Sequence, residues 1–200
     1  IHAALDAGVR LLDTADCYGK DAADAHYGER LAREAVETWH GPHDEVRIAT
    51  KVGLVRTKSR WQPNGSPAHL RQAVAASAAA LGVERLPLVQ LHAVDSRVPF
   101  EETLGALREL QVQGHIEHLG MCNVSLPELR QAERVGPLAS LQVELSVQSR
   151  AAAAQGLVEW AGRRGVPLLA HRPFGGHAKA AKLAGNRAMK PLAAAMGVSP

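Results

Sequence analysis

Four polar side chains, Asp13, Tyr18, Lys51 and His92, stand where short apolar runs end. A free tyrosine loses its proton at about pH 10, too high for easy donation near neutrality. A lysine ammonium beside it would stabilise the phenolate and bring that value down. An aspartate would hold the lysine in place and keep it charged. A histidine would donate a hydrogen bond to a carbonyl oxygen and orient it. Such a set protonates an oxygen that gains charge, as happens when hydride adds to the carbon bearing it.

Each residue also has an ordinary reading. Asp13 can cap a loop, Tyr18 can anchor one through its hydroxyl, and His92 can be a satisfied structural histidine. Gln142 can simply fill hydrogen bonds inside a sheet. Lys51 is harder to dismiss, because it directly follows the apolar run Ile48-Ala49-Thr50. A buried ammonium without a partner is costly. Polar residues also close the other runs: Thr14 and Asp16 after the first, Cys122-Asn123 after the fourth, Gln142 and Glu144 in the fifth, His171-Arg172 after the sixth. Six runs delivering polar groups in this way are hard to explain as packing.

The elements that would position these groups are legible. Short apolar runs at 9–12, 46–49, 88–91, 116–121, 138–143 and 166–170 predict strands buried on both faces. Ser66-Pro67 predicts a helix start, Leu70, Val74 and Leu81 its apolar face, and Gly82 its end. Phe100, Leu104, Leu107 and Leu110 repeat the pattern up to Gly114, and Ser125-Leu126-Pro127-Glu128 has capping-box spacing. Further helices are expected over 28–38, 151–164 and roughly 177–196. Repeated β-then-α order implies a parallel sheet, either doubly wound or a TIM barrel. No GxGxxG follows any strand, which weakens the doubly wound dinucleotide version. A closed barrel needs eight strands, so six imply an incomplete (β/α)8 barrel. Residues 1–200 read as one domain, lacking the first strand and the last strand–helix unit. Such a piece is expected to be unstable and a poor catalyst alone.

Composition narrows the function classes. The formal net charge is +3, from 23 Lys and Arg against 20 Asp and Glu, and the charges are scattered. No basic run of nucleic-acid type appears. No apolar stretch approaches the roughly 18 residues of a membrane span. The two cysteines, Cys17 and Cys122, lie far apart with no CxxC pattern, as in a reducing, cytoplasmic setting.

At this point the sequence resembles the aldo-keto reductases. Gly8-Val9-Arg10-Leu11-Leu12-Asp13-Thr14-Ala15-Asp16-Cys17-Tyr18-Gly19 is similar to the family's signature around its catalytic Asp and Tyr. Ile48-Ala49-Thr50-Lys51 and Leu88-Val89-Gln90-Leu91-His92 resemble the strands carrying its Lys and His. The resemblance implies Tyr18 as general acid, Lys51 as modulator of its pKa, Asp13 as partner of Lys51, and His92 as the group that orients the substrate. It implies NADPH as cofactor, with NADH not excluded, and a small carbonyl compound as substrate.

His118-Leu119-Gly120-Met121-Cys122-Asn123-Val124-Ser125 resembles the strand end that holds the nicotinamide carboxamide, with Cys122 where serine is common. Leu141-Gln142-Val143-Glu144 resembles the segment whose Gln meets the same amide. The sixth strand departs from the family pattern. His171-Arg172-Pro173-Phe174-Gly175-Gly176 stands where Tyr-Ser-Pro-Leu is usual. His171 would then stack on the nicotinamide, and Arg172 or the Gly175-Gly176 backbone would meet the pyrophosphate.

Two rival classes carry their own signals. Potassium-channel β subunits resemble aldo-keto reductases and act chiefly as cofactor-sensing partners. Ten histidines invite a metal-dependent barrel enzyme. However, His40 and His43 flank a Gly-Pro loop, His115 and His118 open a strand, and no HxH closes one. No metal ligand is therefore assigned. The segment from Gly53 to Gly65, with Trp61, is expected to wall the pocket. Oligomeric state is not legible in the sequence.

Overall fold

A computed structural model describes residues 1–19, 21–57, 60–176, 183 and 185–198. Strands β1 (Leu11–Asp13), β2 (Arg47–Val52), β5 (Leu86–Leu91), β6 (Ile116–Cys122), β7 (Ser140–Glu144) and β8 (Leu168–His171) form one sheet in that order. The ladders from β1 through β2 and β5 to β6 are parallel. All six runs singled out in the sequence are these strands. Their order follows the chain without the reversal that defines a doubly wound sheet. The fold is therefore of the (β/α)8 type, with six of its βα units here.

Packing divides the chain into two compact units, Ile1–Leu141 and Gln142–Pro200. The core of the first is built from strand residues buried on both faces: Ala49 and Val52 of β2, Val89 and Leu91 of β5, Leu119 and Met121 of β6. Helices α3 (Pro67–Leu81) and α4 (Phe100–Val112) bury Leu70, Val74, Leu104 and Leu107. Each such side chain contributes roughly 1.5–3 kcal/mol on leaving water. Helix α1 (His2–Asp6) adds Leu5 to a smaller cluster with Trp39 and Val46. Helices α2 (Tyr27–Glu37) and α5 (Leu126–Val135) complete the unit.

Helix ends follow the sequence signals with two differences. Gly82 closes α3 in the left-handed region, and Ser125 with Glu128 forms the full capping box of α5. Ser66, however, does not cap α3: its hydroxyl donates to Asn64 Oδ1 at 2.8 Å instead. The expected single helix over 151–164 is two, α6 (Ala151–Ala154) and α7 (Leu157–Arg164). Gly156 between them has φ 76°, which interrupts the helical ladder. Of the helix expected over 177–196, α8 (Met189–Met196) is present. Residues 177–182 and 184 lie outside the described residues. No helix among the described residues is long and apolar enough to cross a membrane.

The stretch after β2 is an antiparallel hairpin, β3 (Leu54–Thr57) with β4 (Arg60–Pro63), which the sequence reading did not assign as strands. It is tied to the loop after β5 by Asp95, a buried carboxylate. Asp95 accepts from the Gly65 amide at 3.2 Å, from the Arg97 amide at 3.0 Å and from the Arg97 guanidinium at 2.8 and 3.0 Å. The Arg97 hydrogen bonds hold its carboxyl down, at about 2. A carboxylate depressed on folding stabilises the fold above its unfolded value of about 4 and loses that contribution as pH falls through the folded value. Asp95→Asn should therefore cost about 1–2 kcal/mol in urea unfolding at pH 7. The gap from the parent should shrink as pH is lowered from about 4 towards 2.

Candidate active site

The loop after β1 is held against β2 before any side chain acts. Thr14 N–H donates to Ala49 O at 2.9 Å and Asp16 N–H to Lys51 O at 3.1 Å. Helix α2 then closes on this loop, with Gly28 N–H donating to Tyr18 O at 3.0 Å. A Cβ on Gly28 would stand 2.6 Å from Thr14 Oγ1 and 3.2 Å from Tyr18 Cβ. Only glycine lets the helix come this near without moving the tyrosine. Tyr18 is thereby fixed with 39% of its surface open.

Lys51 lies on β2 with no exposed surface. Its ammonium donates to Asp13 Oδ2 at 2.7 Å and to Thr14 O at 2.9 Å. The same nitrogen stands 5.1 Å from the centre of the Tyr18 ring. The expectation that Lys51 lowers the phenol's pKa is met only as an opposing influence. Burial dominates and leaves Tyr18 above the ordinary tyrosine value. The Asp13 charge adds a smaller upward push.

Gln90 went unread as a site residue. It is fully buried in β5, donates to Asp13 Oδ1 at 3.4 Å, and accepts from Ser140 Oγ at 3.3 Å. It thus steadies the carboxylate that steadies Lys51. The available signal was a glutamine alone in the apolar run Leu88-Val89-Gln90-Leu91.

His92 follows β5, its amide donating to Val52 O at 2.9 Å. Its ring meets that of Tyr18 edge to face, centroids 5.7 Å apart. Its Nδ1 lies 3.6 Å from Cys17 Sγ. Asn123, at the end of β6, donates from its side-chain amide to His92 O at 3.0 Å and to Cys122 Sγ at 3.2 Å. Its φ of 54° is left-handed, a conformation that costs energy outside glycine and concentrates at working sites.

Beneath the loop runs a second polar layer. Glu29 of α2 is fully buried, bonded to the Thr50 hydroxyl and to His26 Nδ1, the latter at 2.6 Å. The Glu29 bond raises the His26 pKa. Burial, reinforced by the Glu29 charge, pushes the Asp16 carboxyl up to about 7.

An open cleft of about 300 Å³ adjoins this layer. The hairpin contributes Leu54, Val55 and Arg56 to its wall. Trp61 is not part of that wall. It is half-exposed on β4, beneath the Arg56 guanidinium at 5.2 Å.

The first unit thus brings Asp13, Tyr18, Lys51 and His92 together at neighbouring strand ends, with Cys122 and Asn123 beside them. In the second unit Gln142 is buried in β7 and His171 ends β8. Arg172 has φ 52° and pairs loosely with Glu144 at 3.9 Å. Pro173 and Phe174 are exposed, and Gly175 N–H closes a turn on Arg172 O at 2.7 Å.

A model of the aldo/keto reductase family matches residues 1–195. The chain belongs to the aldo/keto reductase family. It is 32% identical over 167 residues to an uncharacterized oxidoreductase of Schizosaccharomyces pombe, covering 83% of this chain and 51% of that protein. The chain therefore spans about half the length of this curated relative.

Among solved structures, a glycerol dehydrogenase of Gluconobacter oxydans superposes with a TM-score of 0.81 at 26% identity, over 99% of this chain and 68% of that one. An aldo-keto reductase of Bacillus halodurans, solved in a holo form, gives 0.70 at 25% identity, over 83% and 53%. Within this member of the family, the four residues expected from the signature lie together: Lys51 on Asp13, and Tyr18 against both Lys51 and His92. The Cys17–His92 contact is a feature the resemblance did not supply.

Proposed function

We propose that this chain carries the acid–base machinery of an NAD(P)H-dependent reductase of small aldehydes or ketones. The observation that carries the reading is the fully buried Lys51 ammonium, joined to Asp13 at 2.7 Å and lying against Tyr18. A buried cation is retained at such a place when its charge is used.

The residues present fit a nicotinamide cofactor. Asn123 and Cys122 in the first unit offer an amide and a thiol at a strand end. The second unit offers Gln142, His171 and the Arg172-Pro173-Phe174-Gly175 turn, with the exposed Arg172 guanidinium as a cation for a phosphate. When bound, the cofactor supplies hydride to the carbonyl carbon. Tyr18 gives its proton to the carbonyl oxygen, and Lys51 stabilises the phenolate left behind. His92 donates a hydrogen bond to the same oxygen and fixes its direction. Asp13, held by Gln90, keeps Lys51 charged and in place. Two buried cysteines, Cys17 and Cys122, that are not joined in a disulfide support a cytoplasmic setting.

Titration of the full-length protein with NADPH and NADH by fluorescence, followed by a panel of aldehydes and ketones, tests the proposal. Saturable binding and cofactor-dependent reduction of at least one carbonyl are expected. Saturable binding with no turnover of any carbonyl would favour a cofactor-sensing regulatory role instead. Absence of both would end the reductase reading.

A further inference from the structure

We infer that Asp16, Cys17 and His92 form a binding site for a zinc-class divalent cation. A carboxylate oxygen, a sulfur and an imidazole nitrogen from these residues lie within 4.8 Å of one another. Tetrahedral zinc, with Zn–S of about 2.3 Å and Zn–N of about 2.0–2.1 Å, places its sulfur and nitrogen ligands about 3.6 Å apart. Cys17 Sγ and His92 Nδ1 stand at 3.6 Å. The pair therefore already has the edge length of a zinc tetrahedron.

Two further observations point to a ligand. Asp16 is only 6% exposed, and its Oδ1 is buried with no hydrogen-bond partner among the described residues. A buried carboxylate oxygen normally has one. The cleft of about 300 Å³ reaches both Asp16 and Cys17, giving a route in and room for a water as fourth ligand. His69 on α3 lines the same cleft, and its Nε2 is likewise buried without a partner among the described residues.

Chemistry narrows the cation. Thiolate with imidazole and one carboxylate suits zinc and its neighbours, whereas magnesium and calcium require mostly oxygen ligands. Three protein ligands leave one position open. The nearby Lys51 charge is offset by Asp13 at 2.7 Å. Coordination through Nδ1 leaves Nε2–H of His92 as a donor. The site does not depend on the reductase reading, and the two can fail separately.

The test is a cobalt(II) titration of the metal-stripped, reduced full chain. One equivalent should bind, giving tetrahedral visible bands and a thiolate-to-cobalt charge-transfer band, and zinc should displace it. Cys17→Ser should abolish the charge-transfer band and weaken binding by more than about 100-fold, beyond the loss typical of outer-shell changes. Asp16→Asn should keep the band and weaken binding, and Cys122→Ser should leave both intact. Near-ultraviolet circular dichroism of each variant confirms that it is folded. No saturable band in the parent, a band surviving Cys17→Ser, or unchanged affinity in Asp16→Asn would overturn the site.

Discussion

Tyr18→Phe should lower cofactor-dependent carbonyl reduction by about 10²–10⁴-fold, the usual contribution of a positioned proton donor. The substitution removes one oxygen and keeps the ring. The edge-to-face contact with His92 at 5.7 Å and the Lys51 nitrogen at 5.1 Å from the ring are both contacts of the ring itself. Tyr18 is also 39% exposed, so no cavity opens and stability should change by no more than about 0.5 kcal/mol. Cofactor affinity should stay near that of the parent, because none of the expected cofactor contacts is the phenol. The loss should therefore appear in kcat with KM little altered.

The pH profile gives an independent check. Burial holds the phenol above its ordinary value against the pull of Lys51. Reduction needs the protonated form, so the rate should stay level through neutrality and fall only above about pH 10. That alkaline limb should be missing from the residual activity of the phenylalanine variant. Unchanged reduction in this variant would remove Tyr18 from the chemistry.

The parts of this molecule that were legible in the sequence are those where one residue type answers one local requirement. The runs of β2, β5, β6 and β7 carry consecutive buried residues and so bury both faces, whereas β1 and β8 stand more open than the sequence suggested. A polar residue closing a buried run must answer to something other than packing. That contrast exposed Asp13, Lys51 and His92 before any coordinates. Capping works the same way: Ser125 and Glu128 stand three apart and satisfy each other's backbone groups without outside help.

What escaped reading depends on partners distant in sequence. Ser66 looks like Ser125, but Asn64 takes its hydroxyl, and no spacing rule anticipates the competitor. Gln90 acquires its meaning from Asp13, 77 residues earlier. The hairpin was hidden because each four-residue strand is too short for a period-two pattern, and its ties run to Asp95. The sign of the Tyr18 shift was misjudged for a related reason. Sequence shows that a lysine and its aspartate are present, but not how much water burial removes from the phenol. Cys17 looked like an idle thiol until the fold placed His92 Nδ1 beside it.

Lys51→Met is the variant in which structure and chemistry should separate most clearly. The methionine fills much of the same space without a charge, so Asp13 loses a 2.7 Å ammonium and Thr14 O a 2.9 Å donor. Removing one partner of a fully buried ion pair costs ~3–5 kcal/mol, but the Asp13 side chain is 36% exposed, and water can recover part of the loss. A destabilisation of about 2 kcal/mol in urea unfolding is expected. Activity should fall by about 10²-fold or more, since nothing then stabilises the phenolate as the proton leaves. The double variant Asp13→Asn with Lys51→Met removes both charges. It should recover part of the stability lost in the single variant, giving a coupling energy of about 1 kcal/mol or more. It should recover none of the activity, because the ammonium rather than the pair acts on the phenol. Recovered activity in the neutral pair would show that Lys51 is there to satisfy Asp13, and the acid–base assignment would then fall with it.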